Sequence, residues 1–275
     1  MTNSLSIITV NYNNADGLSK TIKSILNQSF KGFEYIIIDG GSTDNSLEII
    51  KTHKEHITHW VNEPDKGAYN AMNKGLRSAT GDYVLFLNSG DLLFNSATLE
   101  QVLKNITPND DLIYGDVVLR NEELNTERAQ VHPEILPFSY FYKQTICHQA
   151  CFIKRSLFDR IFYFNEDYKI SADWEFLIYA IYIEKVNFKK VDIVVSVYDM
   201  GGISSNSKYR LTTIREREKT MDKYFPLFKE DYKIFTSYSS KRFSQLKRIE
   251  SSVFLRKVVS VLFKLMLFLV PNKRN

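Results

Sequence analysis

The segment Gly81-Asp82-Tyr83-Val84-Leu85-Phe86-Leu87-Asn88-Ser89-Gly90-Asp91 carries the clearest chemistry in this 275-residue chain. Tyr83 to Leu87 is an unbroken apolar and aromatic run, the pattern of a strand covered on both faces in an α/β sheet. Asn88-Ser89-Gly90 then makes a turn at its carboxyl end, and Asp91 closes it. In open α/β sheets that edge is where ligands bind, so Asp91 stands where a hard cation and a phosphate can be held. The same four residues are also ordinary turn formers, and a bare turn is the competing reading.

The elements that must position this turn follow from periodicity. Leu5 to Val10 reads as a strand, and Asn11 to Gly17 as a cluster of turn formers. Leu18, Ile22, Ile25 and Leu26 then share one helix face. Tyr35 to Ile38 repeats the strand, and Asp39 to Asp44 is its polar end, with Asp44 the expected N-cap of a helix through Leu47, Ile49 and Ile50. Ile57 to Val61 fits a short third strand and Gly67 to Ala79 a helix before the central strand. A helix around Thr98 to Ile106, a strand around Leu112 to Leu119, helical spacing over Trp174 to Ile183 and a strand over Val191 to Val197 continue the pattern. Residues 120 to 145 lack a clean period and read as a long excursion over the sheet edge, where functional loops are often found. The alternation predicts an α/β fold with a largely parallel sheet and right-handed crossovers.

Composition narrows the class. The 44% hydrophobic content supports a real core, and the length allows one large domain plus an appendage. The net charge of +4 hides an asymmetry: residues 238 to 275 hold nine Lys or Arg against Glu250 alone, a net +8, while residues 1 to 237 are net −4. Cys147 and Cys151 form no disulfide framework or metal cluster by themselves, and the start Met-Thr-Asn-Ser-Leu shows no basic region with a signal core. A cytoplasmic location is the expectation. In the tail, Val253 to Val270 is apolar except for Ser260, Arg256, Lys257 and Lys264. That is too charged for a comfortable span. Flanked by Lys241-Arg242, Lys247-Arg248 and Lys273-Arg274, it fits a helix lying on the inner face of the membrane, peripheral to it. The alternative is a helix packed on the protein's own domain.

Five motifs, in order, resemble the family 2 glycosyltransferases of the GT-A fold: Ser6-Ile7-Ile8-Thr9-Val10-Asn11-Tyr12-Asn13, Ile37-Ile38-Asp39-Gly40-Gly41-Ser42-Thr43-Asp44, Glu63-Pro64-Asp65-Lys66-Gly67, Asn88-Ser89-Gly90-Asp91 and Ser171-Ala172-Asp173-Trp174-Glu175. Each motif alone is weak; their order and spacing over residues 4 to 205 are specific. The resemblance implies a Rossmann-like mixed sheet flanked by helices. It sets a catalytic domain over 1–205, with a nucleotide half to about residue 119 and an acceptor half over about 120–205, and a helical extension over 206–275. It implies nucleotide-sugar contacts from Val10, Tyr12, Asp39, Lys66 and Asn88, with Tyr12 stacking on a base and Asp39 accepting from base or ribose. Asp91 is implied as ligand to a divalent Mg²⁺ or Mn²⁺, and Asp173 as the general base. Asp173 also suits the cap of a helix starting at Trp174, and the two roles are compatible. His148, Gln149, Trp174 and Glu175 fall in the acceptor region; Trp174 suits either a sugar ring or the core, and Lys66 either a phosphate or solvent. The family pattern is not kept everywhere. Gly40 stands where a second Asp is common, Asn88 opens the metal turn, and Ala172 replaces the Glu before the base.

The implied activity is inverting transfer of a sugar from a nucleotide-diphosphate sugar, with a UDP-sugar expected. The acceptor is a saccharide or lipid-linked saccharide in cell-surface polysaccharide synthesis. A non-catalytic nucleotide-sugar or saccharide-binding subunit is the rival from another class, motivated by Asn88 and Ala172. A nucleotidyltransferase is the weaker enzymatic rival, since Asn11 to Gly17 has no Lys or Arg to grip phosphates. No Gly-x-Gly-x-x-Gly follows the first strand and no P-loop occurs, which argues against a dinucleotide-binding oxidoreductase.

Overall fold

The computed structural model describes residues 4–238 and 241–269. The chain forms two compact units, residues 1–224 and 225–275. The first opens with β1 (Leu5–Asn11), α1 (Ala15–Leu26), β2 (Phe33–Asp39), α2 (Ser46–Thr52), β3 (His59–Asn62), α3 (Ala68–Ser78) and β4 (Tyr83–Phe86). β1 lies between β2 and β4 and runs parallel to both, and β3 extends the parallel set beyond β2. Ile7, Ile8, Ile36, Ile37, Leu85 and Phe86 are fully buried, so these strands lack the alternation of a half-exposed sheet. Leu18, Ile22 and Ile25 of α1 pack into the same core, each burial contributing about 1.5–3 kcal/mol. Asn45, not Asp44, takes the cap position of α2. Asp44 instead accepts from the N–H groups of Ser46 (3.0 Å) and Ala15 (2.8 Å), pinning the starts of α2 and α1 together.

The second half of the unit comprises β5 (Leu92–Leu93), α4 (Thr98–Leu103), β6 (Leu112–Asn121), β7 (Thr126–Gln130), α5 (Phe138–Lys143), β8 (Cys151–Lys154), α6 (Ser156–Arg160), α7 (Ala172–Tyr182), β9 (Phe188–Asp199) and α8 (Arg210–Tyr224). β8 enters antiparallel between β4 and β6, so the sheet is mixed, in the order β3-β2-β1-β4-β8-β6-β9-β5. The excursion expected over 120–145 is a hairpin, β6 to β7, followed by α5. Where β6 meets β9 the register shifts after Tyr114. Gly115 sits there because a Cβ would collide with the Ile193 carbonyl, and the bulge re-aims the end of the strand. The first unit reaches past residue 205 to the end of α8, whose buried Glu216 faces the loop before α7.

The second unit carries α9 (Lys229–Tyr238), α10 (Lys241–Glu250) and α11 (Val253–Phe268). Ser252 caps α11 by accepting from the Leu255 N–H at 3.4 Å. Val270, Lys273 and Arg274 lie outside the described residues. Among the described residues no helix is long and apolar enough to cross a membrane.

Candidate active site

Two cavities open side by side at the carboxyl ends of the parallel strands. One, of about 970 Å³, is lined by Val10, Asn11 and Tyr12 from the end of β1, by Gly40 and Gly41 after β2, by Asp65, by the Asn88 to Asp91 turn and by Asp199. The other, of about 650 Å³, is lined by β7, by the loop before α7 and by α7 itself. Asn88, His148, Gln149, Lys169 and Tyr198 line both, forming their common wall.

Tyr12 is 65% exposed on the first cavity, an aromatic face open to a planar ligand. Asp39 lies behind that wall. It is fully buried, its carboxylate accepting from Asn11 Nδ2 (2.6 Å), the Ser42 hydroxyl (2.6 Å), the Ser42 N–H (2.9 Å) and Asn62. It therefore orients Asn11, which does line the cavity. Asp65 projects to the space a side chain on residue 40 would fill, so a carboxylate occupies that region although the chain has Gly40. Lys66, the cation expected near phosphate, is exposed and lines neither cavity; Lys169, from the loop before α7, is the only Lys or Arg among the residues lining the first.

Asp91 is 3% exposed and doubly anchored: Oδ1 accepts from the Asp199 N–H at 2.9 Å and Oδ2 from Gln149 Nε2 at 3.1 Å. Burial pushes its carboxyl up to about 7. The Asp199 N–H, His148 and Gln149 oppose the rise, and the Asp199 charge adds to it. Gly90 makes this turn with φ +104°, where a Cβ would also sit 2.9 Å from Asp199 Oδ2, so the turn brings the two carboxylates to one wall. Nearby Asn88 Oδ1 is buried with no hydrogen-bond partner. These hard oxygen atoms fit a divalent cation whose remaining positions come from phosphate and water. Among the described residues no group of three or more His, Cys, Asp or Glu forms a ready-made cage, so the cation would depend on the nucleotide to complete its shell.

Asp173 sits in the first turn of α7, which begins at Ala172 with Ser171 at the cap. Its Oδ2 lies 3.0 Å from His148 Nδ1 and its Oδ1 accepts from the Tyr69 hydroxyl at 2.8 Å. Burial works to raise the carboxyl, but the His148 hydrogen bond and charge, Tyr69 and the Trp174 N–H outweigh it and hold it below the usual range. His148 Nε2 is 3.3 Å from Asn88 Nδ2. A single short turn, His148–Ala150, thus reaches Asp173 through one residue and Asp91 through the next. The loop before Asp173 is held from α8: Glu216 accepts from the N–H groups of Lys169 (2.7 Å), Ile170 (3.0 Å) and Ser171 (2.9 Å).

The other acceptor-region residues divide. Trp174 is 1% exposed, donates from Nε1 to the Phe141 carbonyl at 2.9 Å and has the Arg217 guanidinium over its ring at 5.0 Å, so only an edge reaches the second cavity. Glu175 lines neither cavity and is buried in α7, where desolvation raises its carboxyl. The Gly201 to Ser204 segment lines the first cavity, and Tyr198 bonds Ser204 Oγ at 2.7 Å and Ser205 Oγ at 2.8 Å. Asp199 carried the same sequence signal as Asp91, a carboxylate closing an apolar strand. Asp65 stood in the Glu63 to Gly67 motif without an assigned role, and Tyr69, Lys169 and Glu216 carried no signal of their own, because their partners are distant in sequence.

The fold and this strand-end site define a GT-A glycosyltransferase, and solved structures share the fold. The mannosyltransferase PcManGT from Pyrobaculum calidifontis, in complex with GDP-Man and Mn²⁺, superposes with a TM-score of 0.62 at 17% identity, covering 96% of this chain and 80% of its own. Staphylococcus aureus TarS 1-349 in complex with UDP-GlcNAc gives 0.60 at 22% identity, covering 71% of this chain; the match spans 58% of that TarS chain. A "PGL/p-HBAD biosynthesis glycosyltransferase" of Mycobacterium bovis (strain BCG / Pasteur 1173P2) is 34% identical over 206 residues, 73% of this chain and 78% of its own. Residues 6–162 match the family model "Glycosyl transferase family 2". The chain belongs to glycosyl transferase family 2.

Proposed function

We propose that the chain is an inverting, metal-dependent glycosyltransferase that moves a sugar from a nucleotide-diphosphate donor, a UDP-sugar first, to a saccharide or lipid-linked saccharide in cell-surface polysaccharide synthesis. The observation that carries this is the His148–Ala150 turn, which ties Asp91 in one cavity to Asp173 in the other. The donor fits the first cavity, its base against Tyr12 and its ribose near Asn11 and Asp65. A divalent cation held by Asp91 and Asp199 would neutralise charge on the departing diphosphate. Lys169 reaches the phosphates from the common wall. Asp173 takes the proton from the acceptor hydroxyl as that oxygen attacks the anomeric carbon from the face opposite the leaving group. His148 Nδ1–H and Tyr69 aim the carboxylate and keep it ionised at neutral pH, and Asn88 fixes the His148 ring from its other nitrogen. The exposed apolar residues of α11, including Phe254 at 73% and Phe268 at 92%, support a peripheral seat on the cytoplasmic membrane.

Incubation with a panel of UDP- and GDP-sugars and Mn²⁺ tests the reading. One donor should release its nucleoside diphosphate, and with acceptor present the product anomer should be opposite to that of the donor. Donor binding with no release by any panel member would favour the non-catalytic binding subunit, and the absence of binding would reject both.

A further inference from the structure

The two cavities share a wall but differ in charge. The donor cavity is lined by three carboxylates, Asp65, Asp91 and Asp199, against Lys169. The second cavity is lined by Arg128, Lys169 and Arg217 against a single carboxylate, Asp173. A diphosphate in the first needs a cation to offset those carboxylates, whereas the second already offers positive charge without one. We propose that the second cavity receives an acceptor carrying an anionic group, a phosphate or a carboxylate, and that Arg128 and Arg217 recognise it. This rests on the assignment of Asp173 as the base.

The cations come from three elements. Arg128 projects from β7, where its partner across the ladder is Leu119; among the described residues it makes no ion pair, and Gln130, two positions on, lines the cavity from the same strand face. Lys169 likewise makes no ion pair among the described residues and rests over the Tyr209 ring at 4.6 Å. Arg217 stands over Trp174, its guanidinium carbon 5.0 Å from the ring centroid, which holds the cation at the cavity wall. On the same wall, Ser171 is 1% exposed and its buried hydroxyl has no hydrogen-bond partner among the described residues. A buried hydroxyl left unpaired costs free energy that an anionic oxygen would recover. Planar guanidinium forks suit carboxylate and phosphate oxygens in pairs, and such charge-assisted bonds are about twice as strong as neutral ones. A neutral sugar would offer Arg128 and Lys169 only uncharged oxygens, without the charge-assisted bonds that an anionic group makes.

The test is calorimetric titration of the full chain with three probes: methyl β-D-glucoside, methyl β-D-glucuronide and glucose 6-phosphate. Each is run at low and high salt, and UDP with Mn²⁺ is titrated separately on the same preparation. At low salt one or both anionic probes should bind about tenfold more tightly than the neutral glycoside. High salt should narrow the gap. Which anion wins separates a uronic acid from a phosphate. Arg128 is exposed on an edge strand, so Arg128→Gln and Arg128→Glu should fold, and both should shrink the preference, the reversal more than the neutralisation. Equal binding of all three probes, or a preference that survives Arg128→Glu, overturns the proposal. Failure of UDP to bind would instead count against the donor assignment, since the sugar titrations are read without it.

Discussion

Asp173 and Asp91 are both buried carboxylates, yet their surroundings push them in opposite directions. Hydrogen bonds from His148 and Tyr69 hold Asp173 low, so it is ionised at neutral pH, as the proposed base must be. Asp173→Asn keeps the shape of the site but removes the proton acceptor. Transfer should fall by roughly two to four orders of magnitude while donor binding changes little. Full rate in the variant, or loss of donor binding with it, would move the role elsewhere. Asp91 also accepts two hydrogen bonds, from the Asp199 N–H and Gln149, but burial outweighs them and pushes its carboxyl up to about 7. The unfolded chain releases that proton at about 3.9, so between about pH 4 and 7 the folded state holds a proton the unfolded state has lost, and stability falls as pH rises. Urea midpoints measured in chelator from pH 4 to 8 should show this decline in the wild type and a flatter profile in Asp91→Asn. Parallel profiles for the two proteins would show that Asp91 is not the group responsible.

At the scale of elements, α8 holds the loop that leads into Asp173, the proposed base. Glu216 gathers three N–H groups of the loop that leads into α7, and hydrogen bonds to a charged acceptor contribute about 1.5–3 kcal/mol each. Glu216→Gln keeps the volume but lowers the acceptor charge, so a loss of about 1–3 kcal/mol is expected. Turnover should drop more than donor affinity, because the released loop leads directly into Asp173, whereas the first cavity takes only Lys169 from it and keeps its other walls. A urea midpoint unchanged from wild type would remove α8 from this role. Nothing at residue 216 signals its purpose in the sequence, since its partners lie more than forty positions away. The elements that were legible are those whose residues state their own environment. β4 is apolar throughout, and β1 and β2 carry the buried runs Ile7-Ile8 and Tyr35 to Ile38, because both faces are covered; α1 shows one buried stripe. β7 reads Thr-Glu-Arg-Ala-Gln because it is an edge strand with mostly exposed residues, and β5 is two residues long; neither has a pattern to detect. The same limit governs the site. Asp91 and Asp173 stood in motifs, while the burial of Asp39 and the entry of Asp65, Lys169 and Arg128 follow from chain crossings that only the folded sheet makes.

At the scale of the molecule, charge is divided along the chain. Residues 238 to 275 are net +8 and the rest net −4, so attraction to an acidic surface is concentrated in the segment that also exposes Phe254, Leu262, Phe263 and Phe268. Apolar burial and basic charge reinforce each other at an anionic bilayer, each Lys or Arg near the surface adding about 1 kcal/mol. A helix carrying Arg256, Lys257 and Lys264 within its apolar run would incur a desolvation cost in the hydrocarbon centre that it avoids at the headgroup level. The full chain should therefore cosediment with phosphatidylserine-containing vesicles more strongly than with phosphatidylcholine alone, and the difference should shrink as salt screens it. A chain ending at Ser240 should lose vesicle binding and still hydrolyse donor, because every residue assigned to the two cavities precedes that point. Binding that ignores both lipid charge and salt would mean insertion driven by apolar contact alone. Undiminished binding of the shortened chain would place the membrane contact on the catalytic unit.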